Sequence, residues 1–278
     1  MSVSRPALRY HGGKWQLARW IISHFPAHRH YVEPCGGGAN VLLNKRPSSL
    51  ETYNDIDGRI VGYFRVLRNR PKDLLHQIRC TAWADDEYEL ALTPTECELE
   101  QARRVFVVSW MTINGFGKAH SGLRVMKNWS GRARAATADV LDLSHLMEAA
   151  ERLRRVQLLN RCAFDVMEWA LDAPDTLIYL DPPYLPDLRA NPNRYSFEWT
   201  VDEHVKSAEI LHKHSGAVIV SGYRSELYAE LYEAKGWQRV ERKASTNGGK
   251  SRVECLWLNP AAQPRTLFSL LTNVREFG

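Results

Sequence analysis

The apolar, β-rich run Thr176-Leu177-Ile178-Tyr179-Leu180 leads directly into Asp181-Pro182-Pro183-Tyr184. A short apolar run bounded by turn residues reads as a buried strand. Two consecutive prolines cannot extend it, because each lacks an N–H donor. Proline also drives the residue before it towards extended conformations. The strand therefore ends in a stiff, exposed turn that offers one carboxylate, carbonyls without neighbouring N–H donors, and one aromatic ring. That set suits an exocyclic amino group on a flat heterocycle: acceptors for two N–H bonds and a π-face for the ring. A proline-rich loop that merely closes a strand is the plainer reading, and the rest of the chain decides between them.

Similar runs recur. Tyr31-Val32-Glu33-Pro34 reads as a strand end, followed by a Cys35–Gly38 loop and a helix start at Ala39–Asn44. Glu51–Asp55 is a second strand ending in acid, with a helix near Gly58–Arg70 after it. Val156–Asn160 is a third strand, followed by a helix over Phe164–Leu171. Ala217–Ser221 is a fifth, between helical patterns at Asp202–His214 and Arg224–Lys235. Arg252–Leu258 closes the set, with Trp237–Arg242 as its hairpin partner. Strands alternating with helices, with loops at the strands' carboxyl ends, predict an open, mostly parallel α/β sheet.

Residues 58–155 break that alternation. They read as helical from about Pro71 to Met111 and as a glycine-rich hairpin up to Gly131. A last helix is expected near Ala138–Arg155. The expected division is a catalytic domain of residues 1–57 and 156–278 around an inserted, mainly helical subdomain of residues 58–155.

With 278 residues, 44% hydrophobic and 25% charged, the chain can bury a full core. Five scattered cysteines without a C-x-x-C spacing argue against a disulfide framework or a zinc site. The N-terminus has no apolar leader, and no run approaches a membrane span, so the expected setting is cytoplasmic. A formal charge of +5 permits a polyanionic partner.

Chemistry-bearing groups cluster at three places. Glycines in Glu33-Pro34-Cys35-Gly36-Gly37-Gly38 would let a ligand approach the backbone, and Asp55 ends the next strand where a carboxylate can accept both ribose hydroxyls. That pair fits a nucleoside cofactor without separating a dinucleotide from S-adenosylmethionine. Tyr10-His11-Gly12-Gly13-Lys14 precedes a helical run and can offer N–H groups and an ammonium to a carboxylate, or simply cap a helix. Arg103, Arg104, Lys118, Arg124, Lys127, Arg132 and Arg134 stand with no acid from 101 to 138, interleaved with Trp110, Phe116 and Trp129. Such one-sided charge beside a flexible hairpin fits phosphate contact. His204, His212 and His214 read as surface histidines, with no metal site expected.

In this order the pieces resemble Dam-type N6-adenine DNA methyltransferases. The resemblance rests on Gly12-Gly13-Lys14, Tyr31-Val32-Glu33-Pro34 with its glycine loop, Asn54-Asp55-Ile56-Asp57, Ala163-Phe164-Asp165 and Asp181-Pro182-Pro183-Tyr184. Ser221-Gly222-Tyr223 and Arg252-Val253-Glu254 fit as well. It implies a Rossmann-like methyltransferase sheet and S-adenosylmethionine as cofactor. Tyr10 and Lys14 would contact that cofactor, Asp55 its ribose and Asp165 its adenine edge, with Glu33, Gly37 and Asp181 counted among its contacts. Asp181, Pro182 and Tyr184 would engage the target base. Residues 58–155 occupy the place of the target-recognition domain, and Arg9, Lys118, Arg124, Lys127, Arg132 and Arg134 are the expected contacts to double-stranded DNA. The family usually has Phe where Cys35 stands and Gly where Ala39 stands, so an aromatic wall of the cofactor pocket is missing.

The implied reaction is methyl transfer to adenine N6 in a base flipped out of the duplex. Cytosine-N4 or RNA methylation would use the same acceptors. A catalytically weak DNA-binding homologue is a third possibility. A nicotinamide oxidoreductase is disfavoured, since the loop lacks G-x-G-x-x-G and Asp181–Tyr184 would then have no role.

Overall fold

The computed structural model describes residues 3–113, 115–117, 122–124, 142–185, 197–245 and 251–264. Its centre is a seven-stranded sheet. The strands are β1 (His30–Glu33), β2 (Leu50–Asn54), β3 (Val156–Leu159), β4 (Thr176–Leu180), β5 (Ala217–Gly222), β6 (Gln238–Ser245) and β7 (Ser251–Leu258), in the order β3-β2-β1-β4-β5-β7-β6. The first five run parallel, and β7 is antiparallel to both β5 and β6. This is the predicted mixed α/β sheet, with the hairpin at its end.

Every residue of β4 and β5 is buried, as parallel strands covered on both faces require. Their side chains alternate between two cores. Tyr31, Leu177, Tyr179 and Ile219 enter one, and Val32, Ile178, Leu180 and Val220 the other. The second core is closed by α8 (Ala163–Trp169), α9 (Val201–Leu211) and α10 (Glu226–Leu231). The first is closed by α1 (Ala18–Ile22), α2 (Asn40–Asn44), α3 (Gly58–Asn69), α4 (Pro71–Arg79), α5 (Asp85–Ala91), α6 (Glu98–Met111) and α7 (Ser144–Leu153). The helices between β2 and β3 thus share one continuous core with a face of the sheet.

The expected long helical stretch is three helices. Pro71 starts α4 at a position where its missing N–H costs nothing. Arg103 and Arg104 on α6 are buried, contrary to their expected phosphate contact. Arg103 pairs with Glu87 at 2.6 Å and Glu100 at 2.7 Å, and Arg104 pairs with Glu100 at 2.7 Å. Trp110 is likewise a core residue stacked on Phe106. Two of the expected surface histidines are also interior. His204 bonds the Tyr228 hydroxyl at 3.0 Å, and His214 lies within 3.0 Å of the Leu171 carbonyl oxygen.

On β2, Glu51 is almost fully buried between Lys45 at 2.6 Å and the Arg152 fork of α7, which also donates to the Leu42 carbonyl at 3.0 Å. Removing one partner of such a cluster would leave a buried charge uncompensated, which costs several kcal/mol.

Chain order reverses at β1: β2 and β3 extend to one side and β4 starts the other. Loops leaving β1 and β4 therefore diverge, opening a crevice at their carboxyl ends, where open α/β sheets bind ligands.

Candidate active site

Glu33 ends β1 and Asp181 follows β4, so the crevice begins with two carboxyl groups. The glycine loop crosses its floor. Gly37 has φ +48°, and a Cβ there would lie 2.8 Å from the Tyr10 ring, so only glycine allows this approach. Ala39 also adopts the left-handed region, with φ 53° and ψ 30°, at the start of α2. An L-residue pays for that geometry in steric strain that glycine would not carry. Asp55 holds the loop in shape: its Oδ2 accepts from the Gly37 N–H at 2.8 Å and its Oδ1 from the Asp57 N–H at 2.8 Å. Burial pushes its carboxyl up to about 6 against the lowering effect of those bonds. The Ile56 N–H also lowers it, and part of the carboxylate's acceptor capacity remains.

Two adjoining cavities share Tyr10, Cys35, Asp55 and Pro183. The smaller, about 60 Å³, also meets Lys14, Glu33, Gly37 and Asp181. The larger, about 310 Å³, is walled by Phe164, Phe197 and Trp199, with Phe164 and Trp199 stacked at 5.1 Å. That volume lies at the lower end of small-molecule sites. Sequence reasoning missed Phe197 and Trp199; their only signal was an F-x-W pattern ahead of α9. Asp165 was expected here but is exposed and lines neither cavity. Ala163, Phe164, Val166 and Met167 occupy the buried face of α8, and Asp165 falls between them on the other.

On the β4 side, charged and hydroxyl groups satisfy one another. The Ser221 hydroxyl donates to Asp181 Oδ1 at 2.6 Å and accepts from the Tyr179 hydroxyl at 3.2 Å. Lys14 Nζ lies 3.0 Å from the same Asp181 oxygen, donates to the Gly12 carbonyl at 2.9 Å, and sits 4.6 Å above the Tyr184 ring. Tyr184 is 4% exposed, and its hydroxyl donates to Glu254 Oε2 at 3.0 Å. Tyr223 meets its ring edge-on at 4.7 Å. The ring expected to be an open stacking surface is therefore covered, and base stacking there requires rearrangement. Ser221 and Glu254 were visible in the sequence only as parts of matching segments.

Glu33 is buried, accepting from the Tyr31 hydroxyl at 2.8 Å through Oε1, while Oε2 has no hydrogen-bond partner among the described residues. Burial pushes its carboxyl up to about 8, and nearby Asp181 adds to this. Lys14, Glu33, Gly37, Asp55 and Asp181 thus meet around one cavity.

A family model for D12 class N6 adenine-specific DNA methyltransferases matches residues 10–246. The chain belongs to that family. A DNA adenine methylase of Vibrio cholerae serotype O1 is 25% identical over 273 residues, covering 91% of this chain and 95% of that protein. The DNA adenine methylase of Escherichia coli strain K12 is 25% identical over 272 residues, with 90% and 92% covered. Salmonella typhi has one 26% identical over 263 residues, with the same coverage.

Membership in this methyltransferase family makes DNA the relevant polyanion, and the expected DNA contacts divide sharply. Arg9 donates to the carbonyls of Trp110, Thr112 and Ile113 at 3.3, 3.2 and 3.1 Å, so its guanidinium binds the end of α6 and the residues after it. Arg124 lies 5.3 Å over the Trp83 ring. Lys118, Lys127, Arg132 and Arg134 lie outside the described residues, as do residues 186–196 beyond the proline turn. Among the described residues no group of His, Cys, Asp and Glu could hold a metal ion, and no helix is long and apolar enough to cross a membrane.

Proposed function

We propose that this chain methylates the N6 amino group of adenine in double-stranded DNA, with S-adenosylmethionine as methyl donor. The observation that carries this reading is the opening of Asp181, Gly37 and Asp55 onto one cavity. Its residues fit the donor. Asp55 offers lone pairs suited to ribose hydroxyls, and Phe164 and Trp199 offer apolar walls to a purine. Lys14 and Glu33 Oε2, which has no hydrogen-bond partner among the described residues, suit the amino-acid end. When bound, the donor supplies an electrophilic methyl group.

The chain's own residues do the rest. The Asp181 carboxylate and the Pro182 carbonyl accept the two N–H bonds of the target amino group. This localises the nitrogen lone pair and orients it, and Asp181 takes the proton that N6 sheds. Ser221 fixes the carboxylate's position, so catalysis is mainly orientation and electrostatic placement. Flipping the base out costs a few kcal/mol, of which stacking on an aromatic ring returns roughly 1–3 kcal/mol. If Tyr184 supplies that ring, Lys14 must leave its face first. Residues 58–155 act as the target-recognition subdomain in this scheme, with the basic segment Lys118–Arg134 against DNA.

The test is nucleoside analysis of duplex DNA incubated with the purified protein and isotope-labelled S-adenosylmethionine. Label in N6-methyldeoxyadenosine is the expected result. Label in N4-methyldeoxycytidine, or only in an RNA control, would replace the substrate assignment, and no label would remove the enzymatic reading.

A further inference from the structure

We infer that Phe116, braced by Arg59, is a positioning residue that seats Tyr10 in the cofactor cavity. The inference rests on the function proposed above and adds residues that line neither cavity.

Tyr10 lines both cavities, yet it belongs to an N-terminal segment outside any long helix or named strand. A ring on such a segment needs something to hold it. On one side stands Gly37, too close to admit a Cβ. On the other stands Phe116, buried at 4% exposure, its ring stacked on Tyr10 with centroids 6.3 Å apart and planes 18° from parallel. Two backbone bonds fix the pair: His11 N–H donates to the Phe116 carbonyl at 3.0 Å, and Phe116 N–H donates to the Arg9 carbonyl at 2.7 Å. Gly115 has φ +81°, and a Cβ there would lie 2.6 Å from the Arg9 carbonyl oxygen, so the chain reaches this position only through glycine.

The brace continues around the pocket. The Arg59 guanidinium lies 5.1 Å from the Phe116 ring centroid and forks onto Asp57 through Nε at 3.0 Å and Nη2 at 2.7 Å. Asp57 donates its N–H to Asp55, and Asp55 accepts from Gly37, which touches Tyr10. Contacts therefore run in a closed circuit from Tyr10 through Phe116, Arg59, Asp57, Asp55 and Gly37 back to Tyr10. A circuit of this kind fixes a ring's place more firmly than any one contact in it. Phe116 lies on the segment that leaves α6 at Thr112 and returns at Leu123, where those two residues bridge.

The test compares Phe116→Leu, Phe116→Tyr, Arg59→Gln and Phe116→Leu/Arg59→Gln in the full chain. Thermal melts establish that each is folded. Calorimetry gives the S-adenosylmethionine Kd, and steady-state methylation of duplex DNA gives KM and kcat. Phe116→Leu keeps apolar volume but loses the flat ring. Its Kd and KM for S-adenosylmethionine should rise by roughly 3- to 10-fold, the value of an aromatic pair, with kcat at saturation unchanged. Phe116→Tyr should restore wild-type values. Arg59→Gln should weaken binding less, and its effect should shrink in the Phe116→Leu background because part of it acts through that ring. A wild-type Kd in Phe116→Leu, or full additivity of the double variant, would overturn the inference alone. Wild-type protein that binds no S-adenosylmethionine would overturn the proposed function as well.

Discussion

Asp55 and Asp181 occupy equivalent places, each just past the carboxyl end of a parallel strand and each lining the same cavity, yet they are held differently. Asp55 accepts from two backbone N–H groups, Gly37 and Asp57. Asp181 is held by side chains, the Ser221 hydroxyl and the Lys14 ammonium. Backbone donors cannot leave without unmaking the loop, whereas a hydroxyl can rotate and a lysine can swing away. The first carboxylate shapes the loop, and in the proposed reaction the second would exchange partners.

The largest effect should come from Asp181→Ala. Methylation of duplex DNA should fall by about a thousandfold, the scale of losing a preorganised transition-state contact. The S-adenosylmethionine Kd should stay within a few-fold, and the fold should survive. Turnover near wild type would break the contrast, because Asp181 would then be no more than a partner for Lys14.

Asp55→Ala should behave oppositely. Loss of charge-assisted hydrogen bonds worth about 1.5–3 kcal/mol should weaken S-adenosylmethionine binding by about 10- to 100-fold. Stranding the Gly37 and Asp57 N–H groups should also lower the melting temperature more than Asp181→Ala does. Equal melting temperatures for the two variants would mean the loop holds its shape without Asp55.

Glu33→Gln sharpens the comparison through pH. Burial raises the folded carboxyl to about 8, so the folded state binds this proton more tightly than the unfolded state. That contribution to stability is present below the unfolded value near 4.5 and is lost as pH rises towards 8, at no more than about 1.4 kcal/mol per pH unit. Glutamine does not titrate. Melting curves at pH 5, 7 and 8.5 should therefore move progressively in favour of the variant, and a constant difference would show that Glu33 carries no such shift.

Much of the sheet was legible because β4 and β5 are apolar runs, and β1, β2 and β4 each stop at residues with a reason to stop them: Glu33-Pro34, Asn54-Asp55 and Asp181-Pro182. The same stops carry the site, so the strand ends and the cavity-lining groups Lys14, Glu33, Gly37, Asp55 and Asp181 came together. Several of the failures share a cause, since they depended on which way a helical side chain points. Arg103 and Arg104 were read from a window beginning at 101, just after Glu100, which neutralises them at helical spacings of three and four. Asp165 was placed by segment rather than by helix face. Ser221 and Glu254 do their work through contacts 40 and 70 residues away in sequence, which no local pattern encodes.

The insertion of β7 between β5 and β6 has a consequence in time as well as space. Glu254, the carboxylate that receives the Tyr184 hydroxyl, lies on that strand. At ribosomal rates of about 5–20 residues per second, a nascent chain displays its proline turn several seconds before the strand that anchors it has been made. Until then β5 has an open hydrogen-bonding edge, with buried-type residues along its length. Among the described residues, the last strand to be synthesised is therefore the one that covers the β5 edge and anchors Tyr184, so a chain cut short before residue 251 would be prone to pair with its neighbours.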